Sequence, residues 1–247
     1  ELKADAVVYA ASKPVYLDID SGRIVGRINA TVIKDASCGE CVNVSSVMNQ
    51  IKQNGVSIEN ENALDLSDTQ AKALIEKYKI EIIPTMLLSS DIEAYSDLIT
   101  ALRQIGTIES DGTYILRAFS PPYRNLSSNE IVGKVTMINL VDSTCEKCYN
   151  VTVNRQILRT GYGIYIYNET TYDINSPAGK EFLNKYNITA VPNFLLSPEA
   201  RLYSGLMQVW NGIGTIEKDG WLVFRAIKVI PKAVYKDLST NQTVGVQ

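Results

Sequence analysis

No histidine occurs among the 247 residues of this chain. That absence removes Ser-His-Asp and Cys-His catalysis, imidazole ligation of metals, and covalent haem attachment at a Cys-x-x-Cys-His run. Long apolar runs are missing too. No stretch approaches the roughly 18 residues that a helix needs to cross a bilayer, so no membrane span is expected in the chain. Nor is there a basic run: 24 Lys and Arg stand against 27 Asp and Glu, for a net charge of −3 and a pI near 5.2. No nucleic-acid partner is expected from that balance. Cysteine is scarce, at four, and no thiol is left over, because all four fall in two Cys-x-x-Cys pairs, Cys38/Cys41 and Cys145/Cys148.

What is present is a repeat. The stretch Asp35-Ala36-Ser37-Cys38-Gly39-Glu40-Cys41 returns as Asp142-Ser143-Thr144-Cys145-Glu146-Lys147-Cys148, an offset of 145 − 38 = 107. Pro14 then falls on Pro121, Tyr16 on Tyr123, and Ile24-Val25-Gly26 on Ile131-Val132-Gly133. One inserted residue later, Lys77-Tyr78 matches Lys185-Tyr186, Ile83-Pro84 matches Val191-Pro192, and Ile105-Gly106-Thr107-Ile108-Glu109 matches Ile213-Gly214-Thr215-Ile216-Glu217. A duplication is read before any single element, since it sets the domain count. The expectation is one copy over 1–120, a second over 121–232, and the start of an incomplete third repeat or a C-terminal β segment over 233–247. Tyr235 to Val246 repeats Tyr123 to Lys134, and Val7 to Ala11 aligns with Tyr114 to Ala118, the closing strand of a copy.

Within a copy the pattern predicts a strand at 6–11 and a turn at Ser21-Gly22. A strand from Ile28 to Ile33 then leads to the first Cys pair. Val44, Val47, Met48 and Ile51 follow helical spacing, so a helix is expected to start at the Cys pair and end at Asn54-Gly55. Val56–Ile58 reads as a strand. Ser67-Asp68-Thr69-Gln70 looks like a capping box, and Ser176-Pro177 puts proline at the first helical position of the equivalent helix. The strand Thr85 to Leu88 follows Ile83-Pro84. A short strand near Ala94-Tyr95, a helix around Asp97–Gln104 and an Asp111-Gly112 hairpin complete the copy.

This order, β–(Cys-x-x-Cys)α–β–α–(x-Pro)β–β–α, resembles the thioredoxin fold. The fold class expected is α/β, with two tandem thioredoxin-like domains, each a mixed sheet flanked by helices with an added C-terminal β-hairpin. The tandem arrangement resembles the two-unit disulfide oxidoreductases of archaea and, more loosely, protein disulfide isomerases. The resemblance implies that Cys38 and Cys145 are nucleophiles and Cys41 and Cys148 their resolving partners. It also implies that Pro84 and Pro192 are cis, and that Ile83 and Val191, the residues before them, pair with substrate backbone. Two features depart from the family. Ser37 and Thr144 replace the usual aromatic before the first Cys, and Val32 and Asn139 stand where a buried acid often serves proton transfer.

A Cys at a helix N-terminus has its thiolate favoured by unpaired amides and the helix dipole. Glu40 and Glu146 oppose this and Lys147 partly offsets Glu146, so a strong oxidant is not expected. Each pair is expected to form a disulfide within its own motif. A zinc site of all four thiolates is set aside because the pairs lie in separate copies. No metal and no cofactor is called for, and Gly161-Tyr162-Gly163 lacks the rest of a dinucleotide fingerprint.

Seven Asn-x-Ser/Thr sequons occur, at Asn29, Asn43, Asn125, Asn150, Asn168, Asn187 and Asn241. The 18 asparagines of the chain would give roughly two or three by chance, so N-linked glycans and an extracellular or cell-surface setting are expected. A start at Glu1 rather than Met fits either a processed or a truncated N-terminus, and the sequon excess favours the first. Two functions stay open, the first of them narrowly ahead. One is an extracytoplasmic thiol–disulfide oxidoreductase or isomerase acting on secreted protein substrates. The other is a structural or filament-forming surface glycoprotein whose Cys pairs are static staples and whose identical subunits join head to tail. The sequons at Asn43 and Asn150, two residues past each pair, would put a glycan close to the sulfurs.

Overall fold

In the computed structural model, residues 13–246 are described. The strand expected at 6–11 lies outside them. The chain divides into two compact units. One reaches Phe119 and adds Tyr123–Ile131; the other holds Ser120–Pro122 and runs on from Val132.

Among the described residues, the first element of unit 1 is a hairpin of β1 (Tyr16–Leu17) and β2 (Ile24–Val25), turned at Gly22. β3 (Arg27–Lys34) follows, then α1 (Ser45–Gln53), β4 (Ser57–Asp65), α2 (Thr69–Tyr78), β5 (Ile82–Ile83) and β6 (Thr85–Leu88). A 3-10 turn over Ser90–Ala94 and α3 (Ser96–Leu102) lead to β7 (Gly106–Ile108) and β8 (Tyr114–Leu116). The sheet runs β4-β3-β6-β8-β7, with β3 and β4 parallel and the other neighbours antiparallel. Side chains alternate along each strand. Ile28 and Ala30 of β3, Met86 and Leu88 of β6, and Tyr114 and Leu116 of β8 face the core under α1 and α3. Ile33, Leu87 and Ile115 face the other side, with Ala71 and Tyr78 of α2. The result is three layers, helix on sheet on helix.

After β9 (Tyr123–Asn125) and β10 (Glu130–Val132), unit 2 repeats the order. It comprises β11 (Val135–Val141), α4 (Thr152–Tyr162), β12 (Ile166–Asp173), α5 (Pro177–Lys185), β13 (Ala190–Val191), β14 (Asn193–Leu196), α6 (Ser204–Ile213), β15 (Gly214–Ile216) and β16 (Leu222–Phe224). Its sheet, β12-β11-β14-β16-β15, has the same order and directions. Its two cores centre on Trp210 and Phe194 on one face and on Leu140 and Leu195 on the other. Ser176 caps α5, its hydroxyl accepting the Gly179 N–H at 3.0 Å, with Pro177 in the first turn as expected. β17 (Val234–Asp237) and β18 (Gln242–Gly245) form the last hairpin.

The structure corrects the sequence reading in five places, the first being the capping box at Ser67: α2 begins after Asp68, whose carboxylate accepts the Asp65 N–H and does not cap the helix. No strand forms at Ala94-Tyr95: the segment is a 3-10 turn that buries Ile92. The Asp111-Gly112 hairpin is not an appendage added after the fold, because β8 lies inside the sheet between β6 and β7. The strand expected at Val56–Ile58 extends to Asp65. The helix expected at the Cys pair starts only at Ser45, and its counterpart only at Thr152. Val44 is buried with the helical face, but the carboxamide oxygen of Asn43 accepts the Ser45 N–H at 2.9 Å, and that of Asn150 accepts the Thr152 N–H at 3.0 Å. Those Asx turns fix the helix start beyond the Cys pair.

Candidate functional site

Each Cys pair closes on itself, with Cα atoms 5.4 Å apart in both. Cys38 is buried, whereas Cys41, Cys145 and Cys148 are half-buried. Both bonds Ile83-Pro84 and Val191-Pro192 are cis, as the resemblance implied. Cys38, Cys41 and Pro84 meet around one groove of about 500 Å3 in unit 1, lined also by Val42, Met48 and Asn62. At the matching position after the second pair, Val42 is replaced by Tyr149. Its hydroxyl donates to the Pro192 carbonyl at 3.3 Å and accepts from Asn154 Nδ2 at 3.1 Å. Burial pushes the Tyr149 hydroxyl up to about 12, against the smaller opposite pull of Asn154, so it stays a neutral donor.

The turn ahead of each first Cys is held by acids that motif reading did not single out. Asp35 Oδ1 accepts both the Ser37 N–H at 2.9 Å and its hydroxyl at 2.6 Å. Asp65, at the end of β4, accepts the Ala36 N–H at 2.8 Å. Asp142 receives the Thr144 N–H at 2.9 Å, and Asp173 the Ser143 N–H at 2.7 Å. Asp65 is held at about 2 by the Ser67 hydroxyl, then by the Ser67 and Ala36 N–H groups. Asp173 sits at about 2 through Ser143 and Asn175. Burial raises Asp35 and Asp142, but hydrogen bonds from Ser37 and Arg124, and from Lys236 and Thr144, outweigh it and leave both below the usual range.

Two basic side chains complete the arrangement. β9 lies antiparallel on β5, with Arg124 opposite Ile83, and β17 lies antiparallel on β13, with Lys236 opposite Val191. Arg124 Nε donates to Asp35 at 2.5 Å and its Nη2 to the Ser37 hydroxyl at 3.1 Å. Lys236 donates to Asp142 at 2.6 Å. The carboxylates are almost fully buried under these cations, at 6% and 1% side-chain exposure. The residues before both cis-prolines are thus brought to the disulfide turns, but the open side of each carries a strand of its own unit. The signal that could have found the two cations was in the sequence: Arg124 and Lys236 share one position of a repeated segment.

The rest of the chemistry is sparse. Asn139, 1% exposed at the position where the resemblance would put a buried acid, donates to Glu169 at 2.8 Å. A carboxamide cannot give up a proton as an acid can. Val32 offers nothing at the matching place of unit 1. Among the described residues no cluster of metal-binding side chains and no helix long and apolar enough to cross a membrane occurs. Six sequon asparagines are exposed and Asn125, in β9, is half-buried.

No family model matches the sequence, and no curated protein matches it. Among solved structures it is similar to the alkylhydroperoxide reductase component AhpF of Enterococcus faecalis, at 16% identity over 69% of this chain and 81% of that one, with a TM-score of 0.22. It is also similar to full-length ERdj5, at 9% identity over 72% of this chain and 26% of that one, TM-score 0.22. Human ERp44 follows at 11% identity over 69% and 44% of the two chains, TM-score 0.18. The chain therefore spans about a quarter of ERdj5 and under half of ERp44. At identities and scores this low, the site is read from its own geometry.

Proposed function

We propose that this chain is a structural glycoprotein of the cell exterior, built from two tandem thioredoxin-like units whose Cys-x-x-Cys disulfides act as staples. The observation that carries this reading is the covered strand edge. Ile83 and Val191 spend their outer edge on β9 and β17, and Arg124 and Lys236 tie those strands to the turns bearing Cys38 and Cys145. A protein substrate that paired its backbone with either x-Pro strand would have to displace a strand already paired there and expose a buried carboxylate. Two further points agree. Each Cys pair precedes its helix rather than opening it, so neither first Cys gains the thiolate stabilisation of a helix N-terminus. All four cysteines are disulfide-bonded, and exposed sequons are frequent, both of which suit an oxidising exterior.

Redox titration tests the reading. Both pairs are expected to stay oxidised near the thioredoxin poise of about −270 mV and to open only below about −300 mV, with no catalysed reduction of insulin. A midpoint in the range of isomerases, about −180 mV, together with turnover, would overturn it. Thiol–disulfide exchange is the second reading, favoured by the groove in unit 1 that reaches both sulfurs of the first pair. There an incoming thiolate would bond to one sulfur and release the other as a thiolate.

A further inference from the structure

Three hairpins of this chain repeat one another, and two of them are paired where, among the described residues, the third is not. Tyr16–Ile19 lies 123 − 16 = 107 residues before Tyr123–Leu126, and Tyr235–Leu238 lies 235 − 123 = 112 after it. Leu17 thus corresponds to Arg124 and Lys236, and Ile19 to Leu126 and Leu238. β9 and β17 each cover the strand before a cis-proline. Just beyond them, the Leu126 N–H donates to the Glu81 carbonyl and the Leu238 N–H to the Thr189 carbonyl, both at 2.8 Å. The two leucines pack onto the cores behind those strands.

Among the described residues, β1 pairs with β2 alone. Ile19 is 86% exposed and Leu17 60%. The hairpin is nonetheless fixed to unit 1 at its other end. The Gly26 N–H donates to Asp91 at 3.1 Å, and the Tyr95 hydroxyl donates to the Gly26 carbonyl at 2.7 Å. An apolar strand edge is therefore displayed on a folded unit, the kind of edge that pairs with another chain.

We infer that the free edge of β1 is a docking edge for the strand that precedes the cis-proline of a further unit of this same kind. Leu17 narrows the choice. Arg124 and Lys236 each neutralise an aspartate of the unit they cover, and a leucine cannot, so a unit bearing that acid would bury an unpaired carboxylate. The occupant has an uncharged residue at the place of Asp35 and Asp142, and an uncovered x-Pro strand. A second intact copy of this chain meets neither condition. The inference is independent of the redox reading, because the pairing is between backbone edges and uses no sulfur.

The chain itself can be turned into the occupant. Deleting 233–247 uncovers β13, and Asp142→Leu removes the acid. This altered chain is expected to associate head to tail, β1 of one copy on β13 of the next. Such a contact does not close, so the mass seen by light scattering should climb with concentration to many chains. The intact chain should remain at the mass of one. Ile19→Asp in the altered chain should return it to single-chain mass. Added intact chain, which offers β1 but no open x-Pro strand, should shorten the assemblies, and intact chain carrying Ile19→Asp should not. If the deletion unfolds the unit by circular dichroism, the same readings are taken on full-length chain with Asp142→Leu, in which Lys236→Pro and Leu238→Asp loosen β17. A folded altered chain that stays single, or assemblies indifferent to Ile19→Asp, would overturn the inference.

Discussion

Arg124 shows how much of this site turns on one side chain. Its guanidinium meets Asp35 and Ser37 at once, in a place where the carboxylate is 6% exposed. Arg124→Ala leaves that charge buried without its cation, so unit 1 is expected to lose about 1–3 kcal/mol in urea unfolding at pH 7. The same change should speed reduction of Cys38–Cys41, and Arg124→Lys should recover part of both effects. Acid acts on the same turns through Asp65 and Asp173. Their carboxyls lie near 2 in the folded protein against an ordinary 3.8, so they bind protons more readily when unfolded. The stabilisation they give is complete above about pH 4 and fades as the pH falls toward 2. Urea midpoints should therefore drop across that window, and Asp65→Asn should flatten the drop; an unchanged pH profile for that variant would refute the assignment. The cysteines were legible because their spacing is itself the signal, and the x-Pro pairs because they recur at matching places of both copies. Asp35, Asp65 and Arg124 were not, since their partners lie 89 and 29 residues away and only the folded chain brings them together.

At the scale of elements, the repeated Ile-Gly-Thr-Ile-Glu segment is a structural clasp. Arg117, from the end of β8, donates to the Tyr78 carbonyl at 2.8 Å and the Lys79 carbonyl at 3.1 Å, where α2 ends. Thr107 and Glu109 of the motif hold that guanidinium, at 2.8 Å each. Arg225 does the same for Tyr186 and Asn187 with Thr215 and Glu217. Helix ends leave carbonyls unpaired, and here an arginine from the sheet satisfies them. The glycine of the motif has a separate cause. A Cβ on Gly214 would stand 2.6 Å from the Trp210 ring and 2.7 Å from the Val223 carbonyl oxygen. Gly214→Ala is expected to cost unit 2 about 1–3 kcal/mol by overpacking a fully buried tryptophan, seen as a lowered urea midpoint with Trp210 fluorescence as the probe. Gly161→Ala, with open space around its Cβ, serves as the control. Helical periodicity marked the buried face of α1 correctly, but it could not mark the start, because Asn43 ends the run by accepting the Ser45 N–H. The segment at Ala94-Tyr95 misled for a related reason. Tyr95 looks like a strand residue, yet its hydroxyl is committed to Gly26 and to the Ser57 N–H, which holds the chain in a turn.

At the scale of the whole molecule, the duplication was legible because a repeated sequence needs no folding rule to be seen. The fate of the closing hairpin was not. Sequence alone left 233–247 free to complete a neighbouring subunit, whereas the structure pairs β17 with β13 inside unit 2 and buries Tyr235 in its core. What remains to act on the outside is the surface itself, and there the sequons decide. Asn29, Asn43, Asn150, Asn168, Asn187 and Asn241 are exposed. At Asn43 and Asn150 the fold uses only the carboxamide oxygen, so a glycan on the nitrogen leaves the helix start intact. Asn125 is half-buried in β9 beside Ile82, and its oxygen accepts the Ser127 N–H at 2.9 Å, so a glycan there has to clear the strand pairing. Chain purified from its native source is therefore expected to carry glycans at most of the seven sequons, with Asn125 the least occupied. Peptide mapping after deglycosylation in heavy-oxygen water reads each site separately. Occupancy at one sequon or none would remove the exterior setting from the proposal. A fully occupied Asn125 would show that β9 is not yet on β5 when the glycan is added.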